Sequence, residues 1–416
     1  MDRRRFNISL AGTGVTLLGG CVAELKRPRG APSVLYSAVG NTMTHYDVDM
    51  AAATLTRRGS IEIPGAIQYA WPHPSNRYLY AAGAGRSGDG GDNRNPEHRL
   101  CALRIGPDGA LSWHGEPKVL RHRPIHTSVD ASGMYALTCY NSPAVVTVHR
   151  INADGTLGEE IEQPAELDHG VFPHQIRPFP SNRTIAMVTR GTPATPERPA
   201  QRGAIKLYGF DDGRLSPLAS LAAGEGPEHG YNPRHLDFHP SQPWAYVLLE
   251  LQGQLHMHPI VGDRLLPEPS FVTPSTAGSP PVSRTQSAGA VHVHLRGHVV
   301  YASNRVSGGG ADVNGGQNNI AVFAIDRSTG EPRAIQFVDP QGYHARTFTI
   351  DPSGRLLIVA ATNDVLVRDG AEARAVPAGL TLFRIQPDGR LAFARKYVVD
   401  VAPGTQQMWV RSLTLS

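Results

Sequence analysis

The chain has 416 residues, among them 44 glycines and 34 prolines. Nearly one residue in five therefore breaks helices, which excludes an all-helical bundle, and a hydrophobic share of 40% excludes a disordered chain. The net charge is +4, but the basic residues are almost all arginine and are spread along the chain, with no aromatic-interleaved run beyond the N-terminus, so nucleic acid is not an expected partner.

Residues 1–20 read as an export signal and residues 21–33 as a tether. Arg3-Arg4-Arg5-Phe6 fits the twin-arginine pattern. The apolar stretch that follows, Ile8 to Gly20, is too short and too mild to span a bilayer, as in receptor-read export signals. Leu18-Gly19-Gly20-Cys21 resembles a lipoprotein box, with Cys21 as the lipid-bearing residue. The expectation is an exported, periplasmic, lipid-anchored protein that meets the membrane only through that anchor. Cys101 and Cys139 fall in apolar strand-like stretches and read as buried free thiols.

Residues 34–416 carry two alternating units. The first is a strand, a tight turn and an apolar strand. Its turns include His73-Pro74-Ser75-Asn76, Asp130-Ala131-Ser132-Gly133 and Phe179-Pro180-Ser181-Asn182. His239-Pro240-Ser241-Gln242, His294-Leu295-Arg296-Gly297 and Asp351-Pro352-Ser353-Gly354 complete the set. The second residues of these six recur at steps of 57, 49, 60, 55 and 57, a spacing that fits four-stranded propeller blades. The second unit is a hairpin on an Asp/Gly turn, as in Asp108-Gly109, Asp154-Gly155, Asp212-Gly213 and Asp388-Gly389, with a degenerate copy at Met50–Leu55. Seven hairpins stand against six inner-strand anchors. The unit Val34–Pro64 lacks a first strand, and Met408–Leu415 is a strand without a partner of its own. Joining them predicts an all-β, seven-bladed propeller closed by its C-terminal strand, as one domain. A monomer is expected.

In such blades the strands run outward from the central channel, so first-strand starts and second-strand ends share one mouth. First-strand starts carry Gln68, His126, His174, Arg234, His235 and Arg346, and second-strand ends carry Asn141, Arg190, Glu250, Arg305 and Asn363. The polar insertions 83–98, 191–202, 307–317 and 363–377 are expected as loops around this mouth. Arginines converging with one carboxylate and several imidazoles suit an anionic ligand. Glu250 ends an apolar strand and needs a partner. His256/His258 and His292/His294 each put two imidazoles on one strand face, but nothing completes a ligand set, and His292 and His294 read as starting an inner strand and lining the channel. No metal and no cofactor are expected. There is no Gly-x-Ser-x-Gly elbow, so a serine acyl-enzyme is not favoured.

The segments Phe172-Pro173-His174-Gln175, Pro233-Arg234-His235-Leu236-Asp237-Phe238-His239-Pro240 and Tyr301-Ala302-Ser303-Asn304-Arg305 resemble the lactonase family of seven-bladed propellers. That family includes propeller-type 6-phosphogluconolactonases and carboxy-muconate lactonizing enzymes. Gly342-Tyr343-His344-Ala345-Arg346-Thr347-Phe348 is also similar to a family segment, with Ala345 where the family has proline. In Leu249-Glu250-Leu251 the acid stands without the family's asparagine. The resemblance implies a metal-independent hydrolase for a small anionic lactone, of sugar-acid or muconate type. His174, Arg234, Glu250 and Arg305 fall on the family's active-site positions, and His126, His235 and Arg346 are expected to contact substrate. Glu250 or His174 would be the general base. A lactonizing cycloisomerase and a non-catalytic binding propeller of the cell envelope are the alternatives.

Overall fold

The computed structural model describes residues 32–85, 97–222, 231–278, 286–306, 316–369 and 372–416. The expected export signal, Cys21 and most of the expected tether lie outside them. Every regular element among the described residues is a β-strand. They form seven antiparallel blades. Blade 1 comprises Ser33–Val39, Thr42–Asp49 and Thr54–Glu62, and blades 2 to 7 begin at Ala66, Pro124, Pro173, Pro233, Gln286 and Ala345. The innermost strand of blade 1 is Gln407–Thr414, from the other end of the chain. Ser33 pairs with Thr414, and Leu415 N donates to Pro32 O at 3.0 Å. Both chain ends of the ring therefore leave it on one face. The innermost strands touch their neighbours all the way round and line a central channel.

The alternating apolar residues of the blades do not build one core. They form seven clusters, one at each blade-to-blade interface: Trp409 and Met43 meet Leu79 and Leu103 between blades 1 and 2, while Val410 meets Leu356 and Leu380 between blades 7 and 1. Cys101 and Cys139 are buried free thiols in two of these layers.

Polar latches join the same interfaces. Tyr36, Tyr80, Tyr246 and Tyr301 each donate a hydrogen bond to the turn glycine of the next blade, at Gly109, Gly155, Gly330 and Gly389. His73, His239 and His294 likewise reach the carbonyls of Gly133, Gly297 and Gly354. The latch excludes a side chain at its receiving end: a Cβ on Gly133 or Gly297 would lie 2.2 or 2.3 Å from the imidazole, and both turns need positive φ. These bonds explain why histidine opens three of the six repeated turns. Tyr246→Phe leaves the buried Gly330 carbonyl without its donor, and urea denaturation is expected to show a loss of about 1–2 kcal/mol.

Two of the expected loops are partly regular. Residues 363–377 contain the hairpin Val365–Asp369 and Glu372–Val376. In residues 191–202 the two strands continue, with Gly191 opposite Arg202 and Thr192 opposite Gln201.

Candidate active site

Three adjacent blades deliver charged residues at the same point of their second strands. Arg190 lies near the end of Thr184–Thr192 in blade 4, Glu250 directly follows Trp244–Leu249 in blade 5, and Arg305 is next to last in Val299–Val306 in blade 6. Arg234 begins the inner strand Pro233–Phe238. These side chains meet at the mouth. Glu250 is only 4% exposed. Its Oε1 accepts from Arg305 Nη2 at 2.7 Å and lies 3.4 Å from Arg234 Nε, and its Oε2 accepts from Arg190 Nη1 at 3.0 Å. Burial pushes the Glu250 carboxyl up, but Arg234, Arg305 and Arg190 outweigh it and hold the group below its ordinary value.

The arginines are themselves anchored. Arg234, 1% exposed, donates from Nη1 to Gly289 O. Arg305 donates from Nε to Ala288 O at 3.2 Å, and its Nη1 meets His344 Nε2 at 2.8 Å. His344 Nδ1 faces Val306 O at 3.1 Å. A carbonyl can only accept, so Nδ1 carries the proton and Nε2 receives the arginine's. Burial and Arg305 bring the His344 pKa down to about 4, which keeps that acceptor neutral. Arg190 stacks 4.2 Å over the Phe172 ring. Arg346 donates to Met408 O at 3.0 Å, and burial followed by Arg305 lowers its pKa to about 10. Three guanidiniums thus contact one carboxylate and a fourth, Arg346, stands beside them, leaving the mouth strongly positive.

Inside the arginines lies a row of rings. Tyr69 and His126 are 3.9 Å apart between centroids, His126 and His235 6.0 Å, and His235 and His174 5.2 Å. Burial and then Arg234 hold His174 well below its ordinary pKa, and burial does the same to His126 and His235. Buried His174 Nδ1, His235 Nδ1 and His126 Nε2 have no hydrogen-bond partner among the described residues. The imidazoles are neutral and hold lone pairs or protons that no protein group uses. Gln68 accepts instead from Arg123, at 2.8 Å. Both border a cavity of about 660 Å³ on this face, lined also by Met408. Asn141 and Asn363 take no part in the ion cluster.

The family described as Lactonase, 7-bladed beta-propeller, matches residues 34–368. The chain belongs to that lactonase family. Among curated relatives of this propeller lactonase is the 6-phosphogluconolactonase of Cronobacter sakazakii, 30% identical over 74% of this chain and 80% of that protein. That of Pectobacterium atrosepticum is 28% identical over 74% and 82%. The periplasmic gluconolactonase of Pseudomonas aeruginosa shares the fold, with a TM-score of 0.65, 20% identity and coverage of 92% and 100%. A protein of Bacteroides uniformis does so with a TM-score of 0.69, 19% identity and coverage of 92% and 99%.

The structure corrects one expectation. The inner strand of blade 6 is Gln286–Val293, so His292 and His294 end it rather than start it. His294 is a latch, and His292 faces Asp237 at the opposite end of the channel, 3.6 Å away. His256 contacts Gln254, and His258 contacts the Leu266 carbonyl. Among the described residues no group of three or more His, Cys, Asp and Glu is placed to hold a metal ion. Sequence reasoning placed Arg190 at the mouth but gave it no role. Its signal was there: it holds the strand-end position of blade 4 that Glu250 and Arg305 hold in the next two blades. No local pattern marks His344 as the prop of Arg305.

Proposed function

We propose that this lactonase hydrolyses the internal ester of an anionic sugar-acid lactone at the Arg190–Glu250–Arg305 mouth. The observation that carries the reading is the division of labour there. Glu250 has both oxygens engaged by arginines and a lowered pKa, which makes it a poor base and a good organiser of cations. His174 is neutral with an unpartnered Nδ1 beside the same arginines, as a general base requires. Water attacks the lactone carbonyl while His174 takes its proton. Arg234 and Arg305 steady the oxyanion. Collapse breaks the ring C–O bond, and the imidazolium returns the proton to the departing alkoxide, which leaves a hydroxyl and a carboxylic acid that ionises and releases one proton to solvent. Arg123 lines the 660 Å³ cavity, and Arg346 is held at the Met408 carbonyl on its border; together they give a phosphate or carboxylate on the substrate a place to bind.

The names of the relatives supply the substrates to try, 6-phosphogluconolactone and gluconolactone, with acid release followed by pH-stat. His174→Gln is expected to lower kcat about 10²–10⁴-fold with KM and thermal stability nearly unchanged. Because the folded-state pKa of His174 is depressed, activity holds from neutral pH down past 6.5 and falls only at lower pH, as the imidazole protonates. Arg234→Gln removes a repelling cation, so the acid limb moves up toward 6.5 while KM rises. A full rate in the His174→Gln protein removes His174 from the mechanism.

The same reading places the enzyme outside the cytoplasm, as a monomer anchored by lipid at Cys21. It rests on Arg3-Arg4 and on the Leu18-Gly19-Gly20-Cys21 box. Replacing both arginines by lysine is expected to retain the precursor in the cytoplasm, and Cys21→Ala to release a soluble periplasmic form. Unchanged membrane fractionation of Cys21→Ala overturns the lipid anchor.

A further inference from the structure

The channel has a second end, and its charges take no part in the lactone site. The inner strands all run the same way, so Trp71, Arg177, Asp237 and Arg411, toward their C-terminal ends, gather on the face opposite Glu250. They line a cleft of about 450 Å³ together with Phe238. The rings of Tyr69, His126 and His235 meet in the channel between this end and the mouth.

One guanidinium here has no carboxylate of its own among the described residues. Two guanidiniums lie against one indole, Arg177 at 4.7 Å and Arg411 at 5.4 Å from the Trp71 ring. Two carboxylates line the cleft with them. Asp130 accepts from Ser132 N, Tyr135 N and Asn182 Nδ2, and Asp237 is fully engaged. Its Oδ1 accepts from Arg177 Nη1 at 3.2 Å and from Phe238 N at 3.0 Å. Its Oδ2 accepts from Val293 N at 2.9 Å, with His292 Nδ1 3.6 Å away. The Arg411 guanidinium forms no ion pair and donates to no acceptor among the described residues; it rests over the Trp71 face. Arg411 Nε and Arg177 Nε are both buried without a hydrogen-bond partner. A guanidinium in such a setting gains from an acceptor that can engage its fork, and carboxylate and phosphate match that geometry. The indole supplies a flat apolar wall beside the cations.

We propose that this end of the channel is a second binding site, in which Arg411 and Arg177 hold a small carboxylate or phosphate against Trp71, separate from the lactone site. Trp71 is its own reporter. Sodium gluconate and sodium phosphate are titrated separately into the full chain at constant ionic strength, with sodium chloride as the balance. Tryptophan fluorescence is read against the same titration of Trp71→Phe. A saturable change that Trp71→Phe lacks is expected with at least one of the two anions, and the one that saturates at the lower concentration identifies the source. Arg411→Gln is expected to weaken it roughly tenfold or more without altering lactone turnover. Arg305→Gln, at the other mouth, is expected to leave it intact. No saturable Trp71 signal with either anion overturns the proposal, as does a signal that survives Arg411→Gln or disappears with Arg305→Gln. Should Arg411→Gln fail to fold, Arg411→Lys decides, since it keeps the charge and loses the fork: weakened binding supports the site, and unchanged affinity overturns it. None of these readouts depends on catalysis, so a failure here is distinct from a failure of the lactonase mechanism.

Discussion

Glu250→Gln is expected to lower the unfolding free energy by about 3–5 kcal/mol, and to raise KM as well as lower kcat. The carboxylate is the counter-ion of Arg190, Arg234 and Arg305, two of which are buried. An amide supplies one neutral acceptor and turns its NH2 donors toward guanidinium donors, so buried cations are left uncompensated and repel one another. They spread, and the anion they are arranged to clamp binds less well. The effect also fixes a pH dependence. Because the folded pKa of Glu250 is depressed, its contribution is present at pH above the ordinary 4.5 and is lost as the pH falls through the lower folded value. Urea denaturation at pH 7 and steady-state kinetics check both parts. Unchanged stability with a lowered kcat alone would return Glu250 to the role of general base.

Deleting Met408–Ser416 is expected to abolish cooperative folding. The deletion removes most of the innermost strand of blade 1, exposes the edge of Ser33–Val39 along the whole register, and takes Trp409, Val410 and Leu413 from two blade interfaces. Losses of about 3–5 kcal/mol for a buried tryptophan, with more from the aliphatic residues, are comparable with the whole stability of a domain, about 5–15 kcal/mol. The open edge also offers a template for pairing between chains. Circular dichroism on heating and size-exclusion chromatography test this. A monomer with an unchanged melting temperature would mean that the ring does not need the strand.

The blades were legible because their signals are local. Asn76, Gly133, Asn182, Gly297 and Gly354 take positive-φ positions in five of the six anchor turns, and Gly109, Gly155 and Gly389 do the same in the hairpins. Strand order within a blade follows from such turns, and the orphan strand at Met408–Leu415 could be assigned by counting. The direction of His292 was not legible, because the inner strand of blade 6 begins on small and uncharged residues, Gln286 to Ala290, and shifts register between Ala288 and Val291. The polar residues that looked like its start are its end. The role of Glu250 was hidden for a different reason. A strand-ending acid announces that it needs a partner, but the number of partners depends on residues 60 and 55 positions away. Three arginines make a counter-ion of a group that one arginine would have left available as a base. His344 reaches Arg305 across blades 6 and 7, and no periodicity encodes that contact.

Ring closure also orients the molecule. Pro32 meets Leu415 where Gln407–Thr414 ends, which is the face opposite Glu250. The chain therefore enters and leaves the ring on the face of the Trp71 cleft, and the catalytic mouth carries neither junction.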